Sequence, residues 1–251
     1  MGQVANLCSG DIFKELFEKH GDQFVKLMVA EKSKEIVNDE FGKVTTQANE
    51  VFQGFNTKTN SLVDEKTSVL NNLFEDMKTK VNNTVPGGIT ALERLKGKSI
   101  NDLSGFSSII QQVGSVKTQA LNKIEGEKIT VMGEVNSKKV GMFNQIDQER
   151  PRIAMYDDLP DPLKSVVRSQ AEETFADQIG KNKGAIVESI TKQFNVNNLQ
   201  GIFQKISPEG TLNNIVSGAA GQLSSALGLG GLGGGIGSML GGGGIPFFGG
   251  R

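Results

Sequence analysis

Apolar side chains recur at intervals of mostly three and four residues along two long stretches of this chain, and this recurrence limits the folds available to it. One stretch begins near residue 41 and the other near residue 109. Such spacing places the apolar side chains on one face of an α-helix, which must be covered by another apolar surface. We therefore predict an all-α fold: an elongated antiparallel helical hairpin or bundle with coiled-coil-like packing, plus a Gly-rich apolar C-terminal tail.

Two sets of residues form the predicted helix seam. They are Phe41, Val44, Ala48, Val51, Phe55, Leu62, Val69, Leu73 and Met77 in the first stretch, and Ile109, Val113, Val116, Ala120 and Ile124 in the second. Lys58 and Glu65 fall where the pattern expects apolar residues, and charges there would fix the register of the helices. The opposite faces mix Lys, Glu, Asn, Gln and Thr, which favours helix–helix packing over a lipid surface.

The predicted domain organisation follows from these patterns. Residues 1–10 form an N-terminal arm, expected to be extended, and residues 11–206 form an elongated helical domain. Its long helices are expected at about 11–82, 105–150 and 162–195.

Turn and capping residues set the expected boundaries. Ser9 or Asp11 is the expected cap of the first helix, and Gly21 is the expected site of a bend. Residues 82–88 form a stop-and-turn signal, followed by a short linking helix around residues 89–95. Residues 151–161 are expected to form a solvated loop, after which Asp161 caps the third helix and Pro162 opens it.

One segment has two interpretations. Residues 128–132 are flanked by Gly126 and Gly133 and are compatible with a β-strand. The helical interpretation is favoured because the apolar seam continues on both sides.

The C-terminal tail, residues 207–251, differs from the rest of the chain. It carries no charge from Gly210 to Gly250, and glycine is its commonest residue. Its candidate interaction residues are Leu227, Leu229, Leu232, Ile236, Met239, Leu240, Ile245, Phe247 and Phe248. Because glycine disfavours an isolated helix, three interpretations stay open: a disordered tail, an arm ordered only against neighbouring copies, and a membrane-inserting segment.

The residues that usually carry chemistry are scarce. The chain has one His, His20, and one Cys, Cys8, so no Cys/His zinc site can form within one chain. Gly97-Lys98-Ser99 resembles the end of a phosphate loop, but Leu92 stands where that loop requires glycine. We therefore predict a protein that is not an enzyme, with no catalytic residues, cofactor or metal. With 27 basic and 28 acidic residues and no basic tract, nucleic acid is not an expected partner.

Gly2 and Cys8 are candidate lipidation sites. Gly2 follows the initiator Met, as N-myristoylation requires, but Asn6 stands where Ser or Thr is expected. Stable anchoring would require a second lipid, for which Cys8 is the candidate.

Two functions from different classes remain. The first is a structural protein that self-associates through amphipathic helices, with the tail as an assembly arm and copies of itself or other structural proteins as partners. The second is a peripheral membrane protein whose apolar tail contacts or inserts into a bilayer. This hypothesis has two forms, one with an acylated N-terminus and one with a free N-terminus. A carrier with lipid held between the helices is a third, weaker hypothesis. No apolar run follows a basic start, so we expect no secretory signal and a cytoplasmic, intracellular-assembly or membrane-peripheral location.

Overall fold

The computed structural model describes residues 2–84 and 105–226, and within these ranges it contains helices and no strand. The helices are α1 (Gly2–Thr84), α2 (Gly105–Glu149), α3 (Ala154–Asp157), α4 (Asp161–Thr174), α5 (Ala176–Gln193), α6 (Gln200–Ile206) and α7 (Glu209–Ala226), with a 3₁₀ turn at Val196–Leu199. The all-α prediction is confirmed. The segment at 128–132 is helical, because it lies inside α2.

The predicted extended arm at residues 1–10 is wrong, since α1 begins at Gly2. Between Gly2 and Asp11 there is no proline, and the cost of Gly10 is only about 1 kcal/mol, which does not stop a helix that continues on its C-terminal side. Ser9 therefore lies inside the helix and is fully buried instead of acting as the cap.

The bend expected at Gly21 lies one residue earlier. His20 has non-helical backbone angles, φ −133° and ψ 16°, within an otherwise helical α1. A glycine beside this position lowers the cost of the distortion because it places no side chain in the way.

The chain divides into two compact units, each built from two separate parts of the sequence. The first unit comprises Met1–Val51 and Lys128–Gln200, and the second comprises Phe52–Glu127 and Gly201–Arg251. Each unit therefore contains part of α1 and part of α2.

The first unit has two apolar clusters. In one, α1 packs against α3 and α4 through the buried residues Leu16, Phe24, Leu27, Met28, Ile153, Tyr156, Val167 and Ala171. In the other, α1 and α2 meet α5 through the buried residues Val37, Phe41, Val135 and Ile190. Both clusters include residues of α1. The first 51 residues therefore pack against residues 128–200, which lie more than 75 positions later in the sequence.

The core of the second unit includes a helix where the sequence suggested only tail. Leu212, Val216 and Ala219 of α7 are buried against α1 and α2, beside Val63 and Leu70. The prediction that residues from 207 onward form a tail is therefore wrong for Glu209–Ala226. Docking supplies the apolar burial that an isolated Gly-containing helix lacks.

The buried face of α1 coincides with the predicted seam at some positions and shifts register near its middle. Its buried positions are Phe41, Ala48, Phe52, Phe55, Thr59, Val63, Leu70 and Met77. Phe55, Thr59 and Val63 are spaced four and four, and this moves the buried face by one residue. Leu62, Val69 and Leu73 are consequently half-buried neighbours of the seam, as are Val44 and Val51, while Glu65 is exposed. In α2, Ile109, Val113, Ala120 and Ile124 are buried and Val116 is half-buried.

The third long helix, predicted at 162–195, is two helices. Phe175 adopts φ −112° and ψ 22°, which separates α4 from α5. Its side chain is half-buried and stacks on Phe17, with ring centroids 6.0 Å apart, so packing against α1 accounts for the break. The cap is also displaced by one residue, because Pro160 occupies it and Asp161 is the first helical residue.

Thr59 is a buried polar residue in the α1 seam. It is 0% exposed, and its Oγ1 has no hydrogen-bond partner among the described residues. Because an unpaired buried hydroxyl costs free energy, we expect Thr59→Val to raise the free energy of unfolding by about 1 kcal/mol in urea denaturation. Thr57→Val is the matched control, since the exposed Thr57 hydroxyl bonds the Gln53 carbonyl, and its effect should stay within about 0.5 kcal/mol. A destabilised Thr59→Val variant would contradict the expectation.

Candidate functional site

The most concentrated polar contacts of the first unit surround Glu31 of α1. Its Oε1 accepts a hydrogen bond from Arg150 Nη2 at 2.8 Å. Its Oε2 accepts one from the Tyr156 hydroxyl at 2.8 Å and one from Arg168 Nη2 at 2.9 Å. We call Glu31, Glu35, Arg150, Tyr156 and Arg168 the Glu31 cluster. It joins α1 to the residue after α2, to α3 and to α4.

Arg168 spans two carboxylates one helical turn apart. While its Nη2 bonds Glu31, its Nη1 donates to Glu35 Oε1 at 2.9 Å. Lys32 then links Glu35, at 2.9 Å, to Glu172 of α4 at 3.1 Å. The planar guanidinium suits this arrangement because it presents several N–H donors in fixed directions. The α1–α4 contact therefore has a fixed register.

Burial and hydrogen bonding act in opposite directions on Glu31. Burial raises the pKa of the Glu31 carboxyl. The hydrogen bonds from Arg150 and Tyr156 and the charge of Arg168 together lower it by more, so the net pKa lies below the ordinary value. The side chain is only 13% exposed. Glu31 is therefore held as an anion with both oxygens occupied, which suits a structural tie between helices better than proton transfer.

Tyr156 is affected in the opposite direction. Burial and the hydrogen bond to Glu31 raise the pKa of its hydroxyl to about 12. A raised pKa contributes stability that is fully present below the unfolded value, about 10, and is lost as the pH rises through the folded value.

Because Tyr156 is the only tyrosine in the chain, its ionisation can be followed directly. We expect the ultraviolet phenolate absorbance of the folded protein to rise with a midpoint near pH 12, with helical circular dichroism recorded in parallel. Glu31→Gln, which removes the anion, should move the midpoint toward the ordinary value of about 10. A wild-type midpoint near 10 while the helical signal is intact would contradict the burial of the Tyr156 hydroxyl and its hydrogen bond to Glu31.

Sequence reasoning missed the Glu31 cluster. Residues 151–161 were expected to form a solvated loop, yet Ile153 and Tyr156 are buried there and Ala154–Asp157 is helical. The available signals were two acidic residues at an i, i+4 spacing, Glu31 and Glu35, and a single tyrosine, Tyr156, between Pro151 and Pro160. Neither signal identifies Arg150 and Arg168 as partners, because they lie more than 100 residues away in the sequence.

The predicted site residues have different outcomes. Gly2 and Cys8 lie in the first turns of α1. The seam residues are buried or half-buried inside the chain's own units. The tail residues from Leu227 to Phe248 and the predicted linking helix at 89–95 lie outside the described residues.

The described residues contain neither a metal-binding group of side chains nor a membrane-spanning helix. No group of three or more His, Cys, Asp or Glu side chains is placed to hold a metal ion there. No helix in the same part of the chain has the length and apolar character needed to cross a bilayer.

Comparisons of the chain with protein-family models, with curated proteins and with solved structures found no match.

Proposed function

We propose that this protein is a non-enzymatic structural protein that self-associates through its amphipathic helices, with its uncharged C-terminal segment as the assembly arm. The observation that carries the proposal is the docking of α7. Leu212 and Val216 of that helix are buried in the core of the second unit, so the charge-free sequence that follows begins from an anchored helix.

The arm has the composition of a segment that lowers its free energy by contact with another surface. Residues 227–250 carry no charge and contain nine large apolar side chains among many glycines: Leu227, Leu229, Leu232, Ile236, Met239, Leu240, Ile245, Phe247 and Phe248. Apolar side chains concentrated in a segment without charge favour contact with another apolar surface.

Within the first unit, the parts of α1 and α2 in the proposed scaffold run antiparallel to each other. Three contacts in the first unit support this arrangement. Asn38 bonds Lys139, Lys34 pairs with Asp147, and Glu31 bonds Arg150. As the residue number falls along α1, that of its partner rises, as expected for antiparallel helices with coiled-coil-like packing.

A second apolar surface on α2 supports helix-mediated association. Ile129 is 65% exposed and Val140 is 47% exposed. A separation of 11 residues, about three helical turns, puts them on the same face. Gly133 lies between them with open space around it, so a helix from another copy could approach closely there.

Sedimentation velocity over a range of concentrations tests the proposal. We expect the full chain to form species larger than a monomer as its concentration rises. Replacing Leu232 and Ile236 by Asp in the full-length chain should shift the distribution toward monomer, because each carboxylate would have to be desolvated in the contact. A compact monomer at all concentrations for the unchanged chain would end the proposal.

The second candidate is a peripheral membrane protein, and the same apolar, charge-free arm favours it. In this case the arm contacts a bilayer, and lipids on Gly2 and Cys8 strengthen the attachment. Liposome flotation of the full chain and of the Leu232→Asp, Ile236→Asp variant separates the candidates. Flotation that the substitutions abolish would support the membrane function, whereas failure of both proteins to float would exclude it. The mass of the native N-terminus reports whether a lipid is attached.

A further inference from the structure

A kink at His20 brings the first turns of α1 against residues that follow them in the same helix. The rings of Phe13 and Phe24 are in edge contact, with centroids 5.4 Å apart. In a straight helix, eleven positions would separate the two residues by about 16 Å along the axis, which is too far for this contact. The non-helical backbone angles of His20 therefore bend residues 2–19 toward the part of α1 that follows. We call residues 2–19 the N-terminal strap.

Apolar side chains attach the strap to the first unit. Leu16 is completely buried, in the cluster that also contains Phe24. Phe17 stacks on Phe175 with ring centroids 6.0 Å apart, yet 45% of Phe17 stays exposed. The ion pairs among the described side chains of the strap join its residues to each other: Lys14 with Glu18, and Lys19 with Glu15. These pairs move with the strap, so its release leaves them intact.

The surface beneath the strap is held together by other contacts. The Glu31 cluster ties α3 and α4 to the part of α1 that follows the kink, through Arg150, Tyr156 and Arg168. These bonds do not involve the strap, since Glu31 lies eleven positions after His20. The surface therefore keeps its shape when the strap leaves, and its uncovered apolar side chains then require a new cover.

We propose that two copies of the chain exchange their straps: α1 straightens at His20, and the strap of each copy packs on the first unit of the other. This inference rests on the proposed self-association and identifies one of its contacts. The strap of a second copy is the matching cover, because Leu16 and Phe17 already fit this surface within one chain. In the exchanged dimer they make the same contacts with the other copy, and both surfaces are occupied.

The hinge of this exchange is short. Within α1, which the structure describes from Gly2 to Thr84, His20 is the residue with non-helical angles, φ −133° and ψ 16°. Helical angles at His20 make α1 continuous and complete the regular backbone hydrogen bonding across the kink. Packing does not block the adjacent Gly21, since a Cβ placed there would meet no heavy atom of another part of the fold within 4 Å. The exchange therefore adds helical hydrogen bonding and conserves the strap contacts, and it costs the freedom of two separate copies.

Distances between labelled copies report the exchange. One full-length chain carries a spin label at Lys14→Cys in the strap, and another carries it at Glu173→Cys in α4, both exposed positions. Cys8→Ser in each chain removes the single native cysteine. The two chains are mixed as dilute monomers and then concentrated, and dipolar electron spin resonance measures the distance between copies. We expect the distance found within a doubly labelled dilute monomer, because the exchanged strap occupies the same surface.

Substitutions at the hinge should shift the concentration at which half of the copies are exchanged. His20→Ala combined with Gly21→Ala favours the continuous helix, because alanine has the highest helix propensity. Two hinges straighten in each dimer, so we expect this concentration to fall about tenfold.

A proline at the exposed Asp22 should have the opposite effect. Proline is tolerated in the first turn after a kink but disrupts the interior of a straight helix, and Gly21 before it has no Cβ to clash with the ring. We expect Asp22→Pro to raise the concentration for half exchange by at least about a hundredfold. Asp22→Ala is the matched control, since it removes the same carboxylate without the ring and should exchange at least as readily as the unchanged chain.

Two results would overturn the exchange and leave the proposed function standing. One is an associated mixture that lacks the expected distance between copies. The other is an Asp22→Pro mixture that shows this distance at the same concentrations as the unchanged chain, with its helical circular dichroism preserved. An unchanged chain that stays monomeric at every concentration overturns the proposed function as well.

Discussion

Replacing Glu31 by Gln should lower the free energy of unfolding by about 3 kcal/mol, because it leaves Arg150 and Arg168 in a partly buried site without the anion that both contact. The amide keeps the size of the side chain but replaces one carboxylate oxygen by an NH2 group. This group is a hydrogen-bond donor and would face the donors of Arg150, Tyr156 or Arg168. The measurement is urea denaturation at neutral pH, followed by helical circular dichroism.

Glu15→Gln is the control for this substitution. Glu15 pairs with Lys19 at 2.6 Å on an exposed part of α1, and loss of such a pair costs about 0.5 kcal/mol or less. The wild-type protein should also lose the Glu31 contribution in acid. Since the folded pKa of Glu31 lies below its ordinary value, that contribution is present above the ordinary value and disappears as the pH falls through the folded one. Equal stability of Glu31→Gln and wild type would show that the cluster does not hold these helices together.

Replacing Leu212 by Ala should cost about 3 kcal/mol, because Leu212 is completely buried in the core of the second unit and the substitution leaves a cavity there. The effect should be concentrated in α7. That helix contains Gly210, Gly218 and Gly221, each of which weakens an isolated helix by about 1 kcal/mol, so it depends on docking.

Hydrogen exchange measures this dependence locally. In Leu212→Ala the backbone amides of α7 should exchange much faster than in wild type, whereas those of α4, in the other unit, should change little. Asn213→Ala is the neighbouring control, since Asn213 is exposed and its replacement should alter stability by no more than about 0.5 kcal/mol. Unchanged exchange in α7 of Leu212→Ala would show that its attachment does not depend on this side chain.

The sequence predicted the fold class and the two longest helices because these depend on periodicity alone. The bounds of α2, 105–149, lie within a residue of those expected, and the buried residues Phe41, Ala48 and Ile124 follow the expected spacing. The start of α1 was misplaced, because Ser9 is a common cap residue but equally compatible with a helix interior when it is buried.

The features that were missed depend on contacts between distant parts of the chain. The shift from Leu62 to Val63 in the seam is a one-residue difference that several equally apolar neighbours make invisible in the sequence. The break at Phe175 and the burial of Tyr156 depend on packing against α1. The helical structure of α7 depends on its packing against apolar residues of α1 and α2. The amino-acid composition of residues 209–226 does not reveal these contacts.

The interleaving of the two units has a consequence for biosynthesis. Residues 2–51 leave the ribosome before Arg150, Tyr156 and Arg168, which contact Glu31 and follow it by more than 100 residues, after part of the second unit. The core of the second unit is likewise incomplete until Leu212 and Val216 have been synthesised. Neither unit can close until its later part has been translated. The apolar faces of α1 therefore stay uncovered while the intervening residues are synthesised, and uncovered apolar surface of this kind favours misassembly.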